Sequence, residues 1–311
     1  MTIWSHVVRA PSAKTAYVLA GFSSERIEVD GLSINVTRGG HGPPVLLLHG
    51  YPQTHVMWHR VAPLLARRHT VVCPDLRGYG DSDKPPGGGD HAEYAKRAMA
   101  ADQIGVMRSL GFDSFAVVGH DRGARVALRM ALDHPDAVER LAILDIVPTR
   151  TIYATIDRHR AATVWRYFFL IQPAPLPERL IAGDPGFYLE WTLTEWSGDR
   201  SLLADEAVAE YRRCFDDATI AATCEDYRAG ATVDLADDEA DASLAVGCPV
   251  LVLWSGPGLG ASYDVLKVWR EWAPNLRGRA VDCGHFLAEE RPDEIGRELS
   301  SFLTETDGRT D

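Results

Sequence analysis

The frame Gly119-x-Asp121-x-Gly123 constrains this chain more than any other short stretch. An apolar run at residues 114–118 precedes the frame, and a helical pattern over residues 122–132 follows it. This order predicts a strand, a sharp turn and a helix, the local structure that presents a nucleophilic side chain at the edge of a sheet. Aspartate is also a common N-cap in an ordinary turn between a strand and a helix. The five residues alone leave both interpretations open.

An aspartate nucleophile favours one kind of chemistry over another. A serine alkoxide is suited to an acyl carbonyl, whereas a carboxylate can displace a leaving group from a saturated carbon. The alkyl ester formed in this way can then be hydrolysed at its own carbonyl. Asp121 therefore predicts a substrate with a carbon–leaving-group bond, such as an alkyl halide or an epoxide.

Strand and helix patterns alternate along most of the chain. Residues 26–29 and 32–36 predict a hairpin around the turn Asp30-Gly31. Short apolar runs predict buried parallel strands, and they lie at residues 44–48, 69–73, 114–118, 141–147, 249–254 and 278–282. The pattern predicts an α/β fold in which helices cover both faces of a mostly parallel sheet.

The alternation stops between residues 149 and 244, where the sequence is rich in aromatic residues and mostly helical in pattern. We interpret residues 149–244 as a helical cap inserted into the α/β domain. The domain itself is then formed by residues 1–148 and 245–311. Residues 1–22 are expected to form an N-terminal arm.

The composition disfavours several classes of protein. The formal net charge is −12 and no basic face is apparent, which argues against nucleic-acid binding. No run of 18 apolar residues predicts a membrane span, and Arg9 and Lys14 interrupt the apolar stretch that a signal peptide would need. The five cysteines lack metal-binding spacing, so we expect reduced thiols, no bound metal and a cytoplasmic protein. An anionic substrate would need a local cationic pocket, because the overall charge gives it no help.

Candidate partners for Asp121 follow other strands. His285 comes directly after the last predicted strand, at the carboxyl edge of the sheet, where it can activate water as a general base. Asp145 lies inside an apolar run, where an acid is costly unless it is paired. We therefore predict that Asp145 orients His285, with Asp264 as the lesser alternative. A simple turn or cap role for Asp145 is the other interpretation.

Backbone and cationic groups complete the predicted site. Residues 49–52 follow a buried strand and predict an oxyanion loop, in which the backbone N–H groups of Tyr51 and Arg122 face the developing charge. A tight turn also fits this motif. Arg122 and Arg125 share one face of the first helical turn and, with the helix N-terminus, predict a site for a substrate carboxylate. Pairing of one arginine with a surface acid is common, but clustered positive charge at this end of a helix is unfavourable without an anion.

Six motifs carry a family resemblance, and they lie at residues 49–54, 75–83, 119–125, 144–149, 172–178 and 224–230. On these motifs the chain, from about residue 23 onward, resembles the fluoroacetate or haloacetate dehalogenases of the α/β-hydrolase fold. The resemblance implies hydrolytic removal of halide from a 2-haloacid, without a metal or organic cofactor. It implies Asp121 as nucleophile, His285 as base, Asp145 as its partner, and Arg122 with Arg125 as the carboxylate site. Members of this family are often homodimers.

One predicted subsite departs from this family. The family holds its halide with a His-Trp pair in the cap and a Tyr further on; the Tyr corresponds to Tyr227, whereas Arg166 and Tyr167 replace the pair. Arg166, Tyr167 and Tyr227 are therefore the expected leaving-group residues. This replacement weakens the expectation that fluoride is removed more than the expectation that other halides are removed.

Two other functions compete with this interpretation. Tyr167 and Tyr227 resemble the paired cap tyrosines of epoxide hydrolases, which protonate the opening epoxide oxygen. The Arg122–Arg125 pair argues against a neutral epoxide, although an epoxy acid would fit both features. A non-catalytic ligand-binding protein is the third interpretation, which an intact Asp-His-Asp set disfavours.

Overall fold

A computed structural model describes residue 19 and residues 21–305 of the 311-residue chain. Most of the predicted N-terminal arm, residues 1–22, therefore lies outside the described residues. Leu19 within this segment is buried in the main core, and Phe22 begins the first strand.

Eight β-strands form one sheet in the described part of the chain. They are β1 Phe22–Val29, β2 Leu32–Gly40, β3 Pro44–Leu48, β4 Thr70–Pro74, β5 Phe115–His120, β6 Val138–Leu144, β7 Val250–Ser255 and β8 Leu276–Val281. Their order across the sheet is β1-β2-β4-β3-β5-β6-β7-β8. β1 and β2 form the predicted hairpin, β2 pairs antiparallel with β4, and every later pair of neighbours is parallel. The mostly parallel sheet predicted from the sequence is confirmed.

Helices connect the strands and fill the stretch between β6 and β7. Across the described residues the α-helices are α1 Ala62–Leu65, α2 Lys96–Ser109, α3 Arg122–Asp133, α4 Thr149–Ala154, α5 Arg158–Thr163, α6 Trp165–Leu170, α7 Leu176–Gly183, α8 Pro185–Trp196, α9 Asp205–Cys214, α10 Asp217–Ala231, α11 Val233–Ala240, α12 Leu259–Ser262, α13 Val265–Arg270, α14 Leu287–Glu290 and α15 Pro292–Thr304. Helices α4 to α11 lie between β6 and β7, in the stretch for which a cap is predicted, and we call them the cap. No helix within residues 19–305, residue 20 aside, has the length and apolarity to span a bilayer.

The central strands are buried because helices cover the sheet. All six residues of β5 are buried, as are four of the five residues of β3. Short apolar runs are typical of such strands, and removal of this surface from water is the main favourable term in folding. Helix α3 packs on β5 and β6, and its residues from Arg122 to Leu132 are all buried. The helix that follows the Asp121 turn is therefore rigidly held.

Strand β6 begins and ends three residues earlier than the sequence pattern predicted. It ends at Leu144, whereas the apolar run continues to Val147. Asp145 has a φ of 53°, in the left-handed region that Asp tolerates better than most residues, and its Oδ1 accepts the N–H of Ser255 at 2.7 Å. The chain thus leaves the sheet at Asp145, and this residue lies at the carboxyl edge rather than inside a strand.

Candidate active site

Asp121 lies at a strained turn between β5 and α3. Its φ is 45° and its ψ is −116°, values that a non-glycine residue rarely adopts and that cluster at functional sites. Residue 123 must be glycine for helix α3 to pack against the end of β3, because a Cβ on Gly123 would lie only 2.3 Å from the carbonyl oxygen of His49. The turn predicted from the frame is therefore present, and it projects Asp121 toward the cap side of the sheet edge.

The carboxylate of Asp121 is buried and only partly satisfied. Its Oδ2 accepts the backbone N–H of Tyr51 at 2.9 Å, so the loop predicted to form an oxyanion site does contact the carboxylate. No hydrogen bond among the described residues reaches its Oδ1. One oxygen is thus fixed by the protein, and the other is available to a substrate.

The charges around Asp121 favour its ionised form. Burial alone would raise the pKa of the Asp121 carboxyl, but the positive charge of His285, with Arg122 and Arg125, holds the pKa below its ordinary value. A carboxylate with a lowered pKa is ionised at neutral pH. That is the state in which it can act as a nucleophile.

His285 and Asp145 form a hydrogen-bonded pair at the same edge. Nδ1 of His285 lies 2.7 Å from Oδ2 of Asp145, and Nε2 is buried with no hydrogen-bond partner in the described part of the chain. Burial alone would lower the pKa of His285, but the hydrogen bond and charge of Asp145, together with Asp121, raise it above 6.5. Asp264, the lesser alternative, is instead exposed and caps α13 by accepting the N–H of Lys267 at 3.1 Å.

Arg122 is already paired with an acid of the cap. Its Nε and Nη2 donate to the two carboxylate oxygens of Asp226 at 2.8 Å and 2.6 Å, and Nη2 also donates to the Asp226 carbonyl at 2.7 Å. Asp226 also binds the Lys96 ammonium and accepts the Tyr79 hydroxyl at 2.6 Å. Arg122 thus already has an anion within the chain, which is the pairing weighed for one of the two arginines, except that the acid is the buried Asp226 and not a surface residue.

Arg125 differs from Arg122 because it has only neutral partners. Its Nη1 donates to Oγ1 of Thr149 at 2.5 Å and its Nη2 to the hydroxyl of Tyr167 at 2.9 Å. Its Nε is buried without a hydrogen-bond partner in the described residues. The side chain is only 4% exposed, and no carboxylate within residues 21–305 forms an ion pair with it. A buried guanidinium without a direct ion pair among the described residues therefore borders Asp121, and a buried charge of this kind is costly unless it is paired.

Arg166 lies among aromatic rings and pairs with a cap acid. Its Nη1 is 2.5 Å from Oε2 of Glu195, and its Nε donates to Oγ1 of Thr192 at 3.2 Å. The guanidinium lies 4.5 Å from the ring centre of Trp165 and 4.9 Å from that of Trp196. Its charge is thus compensated by Glu195, unlike that of Arg125.

Buried phenol hydroxyl groups lie above the site. The hydroxyl group of Tyr227 has no hydrogen-bond partner in the described part of the chain, whereas those of Tyr51 and Tyr188 interact with each other. The Tyr227 ring lies 5.5 Å from Tyr51 and 5.3 Å from Tyr167, measured between ring centres. Burial raises the pKa of Tyr227 well above its ordinary value, so the phenol keeps its proton and can donate it in a hydrogen bond.

Three side chains of this site were not among the functional residues predicted from the sequence. Asp226 directly precedes the predicted Tyr227, and a buried acid beside that tyrosine on one helix was an available signal. The Tyr51 side chain belongs to a loop that had been considered only for its backbone. Tyr188 has no motif around it, and only its position in α8 brings it here.

Comparisons with known proteins identify the family to which the chain is related. Residues 43–292 match the family described as alpha/beta hydrolase fold. The chain is 47% identical over 288 residues to a fluoroacetate dehalogenase from Burkholderia sp, covering 92% of this chain and 95% of that protein. It is also 36% identical over 269 residues to a soluble epoxide hydrolase from Corynebacterium sp. (strain C12), covering 85% and 91% of the two chains.

Structural comparison gives the same fold. The crystal structure of an alpha/beta hydrolase from Nostoc sp PCC 7120 superposes with a TM-score of 0.92 and 52% sequence identity, covering 93% of this chain and 100% of that chain. The overall fold of this chain is therefore that of a known alpha/beta hydrolase structure. The chain belongs to the alpha/beta hydrolase fold family and, within it, to the fluoroacetate dehalogenase-like group of hydrolases.

Proposed function

We propose that this hydrolase removes halide from 2-haloacids such as haloacetate, with fluoroacetate as the most demanding candidate substrate, and yields the 2-hydroxyacid through an alkyl ester on Asp121. The observation that carries the proposal is Arg125, a buried guanidinium beside the nucleophile with no acidic partner in the described residues. A substrate carboxylate would supply the missing anion. A neutral substrate would leave Arg125 without a direct ion pair.

The first step is displacement at the carbon that bears the halogen. The substrate carboxylate binds Arg125 and the Nη1 of Arg122, which makes none of the hydrogen bonds between Arg122 and Asp226. Oδ1 of Asp121 attacks C2 in line while the N–H of Tyr51 holds Oδ2. A carbon–oxygen bond forms, the carbon–halogen bond breaks, and the halide leaves with the bonding electrons, which inverts C2.

The leaving halide needs hydrogen-bond donors. Tyr227 supplies a buried hydroxyl group with no partner among the described residues. The hydroxyl oxygen of Tyr167 accepts a hydrogen bond from Arg125, so its O–H group is available to donate to the halide. Arg166 contributes positive charge at longer range, since Glu195 already pairs with it. The oxyanion of the second step is proposed to bind the N–H groups of Tyr51 and Arg122.

The second step hydrolyses the ester. Nε2 of His285 takes a proton from water, and the water oxygen attacks the carbonyl carbon of the Asp121 ester. Collapse of the tetrahedral intermediate breaks the bond between that carbon and the ester oxygen. The 2-hydroxyacid leaves with the proton from His285. Asp121 keeps the second proton of the water and returns to the carboxylate when that proton is lost to solvent. Asp145 holds the imidazole in the tautomer that this step requires.

An epoxide hydrolase is the alternative, and two observations favour it. Relatives of this chain include a soluble epoxide hydrolase, and the rings of Tyr167 and Tyr227 lie 5.3 Å apart, so that both phenols could serve one epoxide oxygen. Arg125 donates a hydrogen bond to the Tyr167 hydroxyl, so a guanidinium without a direct ion pair lies beside these tyrosines and favours a substrate that carries an anion. An epoxide that carries a carboxylate would satisfy both features.

Parallel assays separate these functions. The purified protein is given fluoroacetate, chloroacetate, glycidate and a neutral aryl epoxide, and halide release and diol formation are measured. Fluoride and chloride release support the full proposal, and chloride alone limits it to easier leaving groups. Diol from the neutral epoxide without halide release would replace the proposal by the epoxide hydrolase.

The quaternary structure is also part of the proposal. A homodimer would cover the exposed apolar side chains of two successive cap helices, which are Leu176, Leu180, Phe187 and Trp191. Sedimentation velocity at several protein concentrations tests this point. A single monomeric species up to high micromolar concentration would contradict it. A cytoplasmic location remains part of the same proposal.

A further inference from the structure

Glu290 binds the backbone on both sides of His285. Its Oε2 accepts the N–H of Gly284 at 2.8 Å and the N–H of Gly198 at 2.9 Å. Its Oε1 accepts the N–H of Phe286 at 3.2 Å. One buried carboxylate therefore fixes the residues before and after the proposed base and ties that loop to the cap segment after α8.

The N–H of His285 itself is held by the cap. It donates to the carbonyl of Trp196, the last residue of α8, at 2.8 Å. The Trp196 ring lies edge-on to the imidazole, with the ring centres 5.0 Å apart. The three consecutive N–H groups from Gly284 to Phe286 are thus all bonded to Glu290 or Trp196. A loop held at every donor fixes the direction in which the imidazole points.

The two backbone segments approach each other more closely than a side chain would allow. A Cβ on Gly284 would lie 2.0 Å from the nitrogen of Gly198. Both nitrogens can therefore donate to the same oxygen of Glu290. This shared oxygen distinguishes the arrangement from an ordinary turn, in which a carboxylate caps a single segment.

Glu290 also places negative charge near the imidazole. Its side chain is 4% exposed, and its carboxylate accepts from backbone groups instead of pairing with a cation of the described residues. Burial alone would lower the pKa of His285, whereas Asp145, then Asp121 and Glu290, raise it. His120, which also packs on the imidazole, is neutral because burial lowers its pKa to about 3.

We propose that Glu290 is a positioning residue for His285, which holds the histidine loop against the cap and favours proton uptake by the imidazole. This inference rests on the proposed function, because it takes His285 as the general base of ester hydrolysis. Glu290 contacts the backbone and not the space above Asp121. Its replacement should therefore affect the second step and spare the first.

The first test follows the His285 imidazole without any substrate. Glu290→Gln keeps the shape and one acceptor oxygen but removes the charge, and NMR titration with assignment from His285→Gln gives the midpoint. We expect the midpoint to move to lower pH. Glu289→Gln is the matched control: burial raises the pKa of Glu289 to about 8, so it carries little charge at lower pH and its replacement should leave the midpoint unchanged. An unchanged midpoint in Glu290→Gln would overturn the electrostatic part of the proposal.

The second test separates the two chemical steps with chloroacetate. In Glu290→Gln we expect one equivalent of chloride per subunit to be released at the wild-type rate. Ester hydrolysis should slow by about tenfold or more, because small misplacement of a catalytic group is costly. Equal loss in both steps, or none in hydrolysis, would overturn the positioning role. If the wild-type protein releases no halide from any haloacid, the proposed function fails, while the NMR midpoint still decides the role of Glu290.

Discussion

The backbone N–H of Tyr51 donates a 2.9 Å hydrogen bond to Oδ2 of Asp121. The bond orients the carboxylate and leaves Oδ1 as the oxygen that can attack. In the ester, the oxygen bonded by Tyr51 becomes the carbonyl oxygen, and the same N–H then stabilises the charge that develops during hydrolysis. One donor therefore serves both steps.

Asp121→Asn should abolish turnover, with a loss of roughly 10⁴-fold or more. The amide oxygen still accepts the N–H of Tyr51, so the thermal stability should change little. A single turnover of the wild-type protein in ¹⁸O-labelled water, followed by peptide mass spectrometry, checks the role of the residue directly. Label should enter Asp121 first. Label that appears in the product alone would contradict a covalent intermediate.

His285→Gln should stop the reaction after the first step. One equivalent of halide per subunit should be released, and the intact protein mass should rise by one carboxymethyl group with chloroacetate. Because the hydrogen bond and charge of Asp145 raise the pKa of His285 above its ordinary value, the imidazole should take up a proton at a higher pH than free histidine, and hydrolysis by the wild-type protein should decline as it does so. A pH-independent hydrolysis step would argue against His285 as the base.

Arg125→Leu should weaken the use of haloacids and leave neutral epoxides nearly unaffected. A charged hydrogen bond to the substrate carboxylate contributes about 1.5–3 kcal/mol, so kcat/KM for chloroacetate should fall by about 10- to 150-fold. Arg108→Leu removes the same charge from an exposed position on α2 and should have no effect. Equal losses for the acid and the neutral substrate would exclude carboxylate binding by Arg125.

Tyr227→Phe should slow halide release by about tenfold or more without loss of stability. The hydroxyl of Tyr227 is buried and has no partner in the described residues, so its removal costs no protein hydrogen bond. Tyr94→Phe is the matched control, because the hydroxyl of Tyr94 donates to the Pro85 carbonyl at 2.6 Å. That variant should lose stability but not halide release. The reverse pattern would assign Tyr227 a structural role.

Glu289→Gln should become more stable than the wild type as the pH rises. Burial raises the pKa of Glu289 from 4.5 to about 8 in the folded protein, so folding takes up a proton between these values and stability falls with rising pH. The difference in Tm between variant and wild type should grow by about 2 °C or more from pH 5 to pH 8. Glu298→Gln, at an exposed ion pair with Arg279, should show no such trend.

The local sequence pattern was sufficient to predict the central strands and the turn at Asp121. Residues 44–48 were predicted as a strand and form β3 with the same bounds, because an apolar run between turn signals has few other ways to bury itself. The helix predicted over residues 122–132 is also present, as α3. These features depend on neighbours along the chain.

The local pattern could not predict which residues that lie far apart in the sequence form hydrogen bonds or ion pairs with each other. The end of β6 is set by the bond from Ser255 to Asp145, and the charge of Arg122 is set by Asp226, both across more than a hundred residues. Glu290 follows the histidine motif closely, but its second glycine partner lies in the cap. Periodicity reports which face of an element is buried, and not which acid meets which base.

Because two of the arginines are paired with acids of the chain, the number of negative charges that a substrate can bring into the site is also limited. Arg122 is paired with Asp226 and Arg166 with Glu195, so of these three arginines Arg125 is the one without a direct ion pair among the described residues. A monocarboxylate would give Arg125 the carboxylate partner that it lacks. A dicarboxylate such as chlorosuccinate would carry a second negative charge into a buried space without a counterion, at high cost. We therefore expect discrimination by ionic charge in addition to discrimination by size.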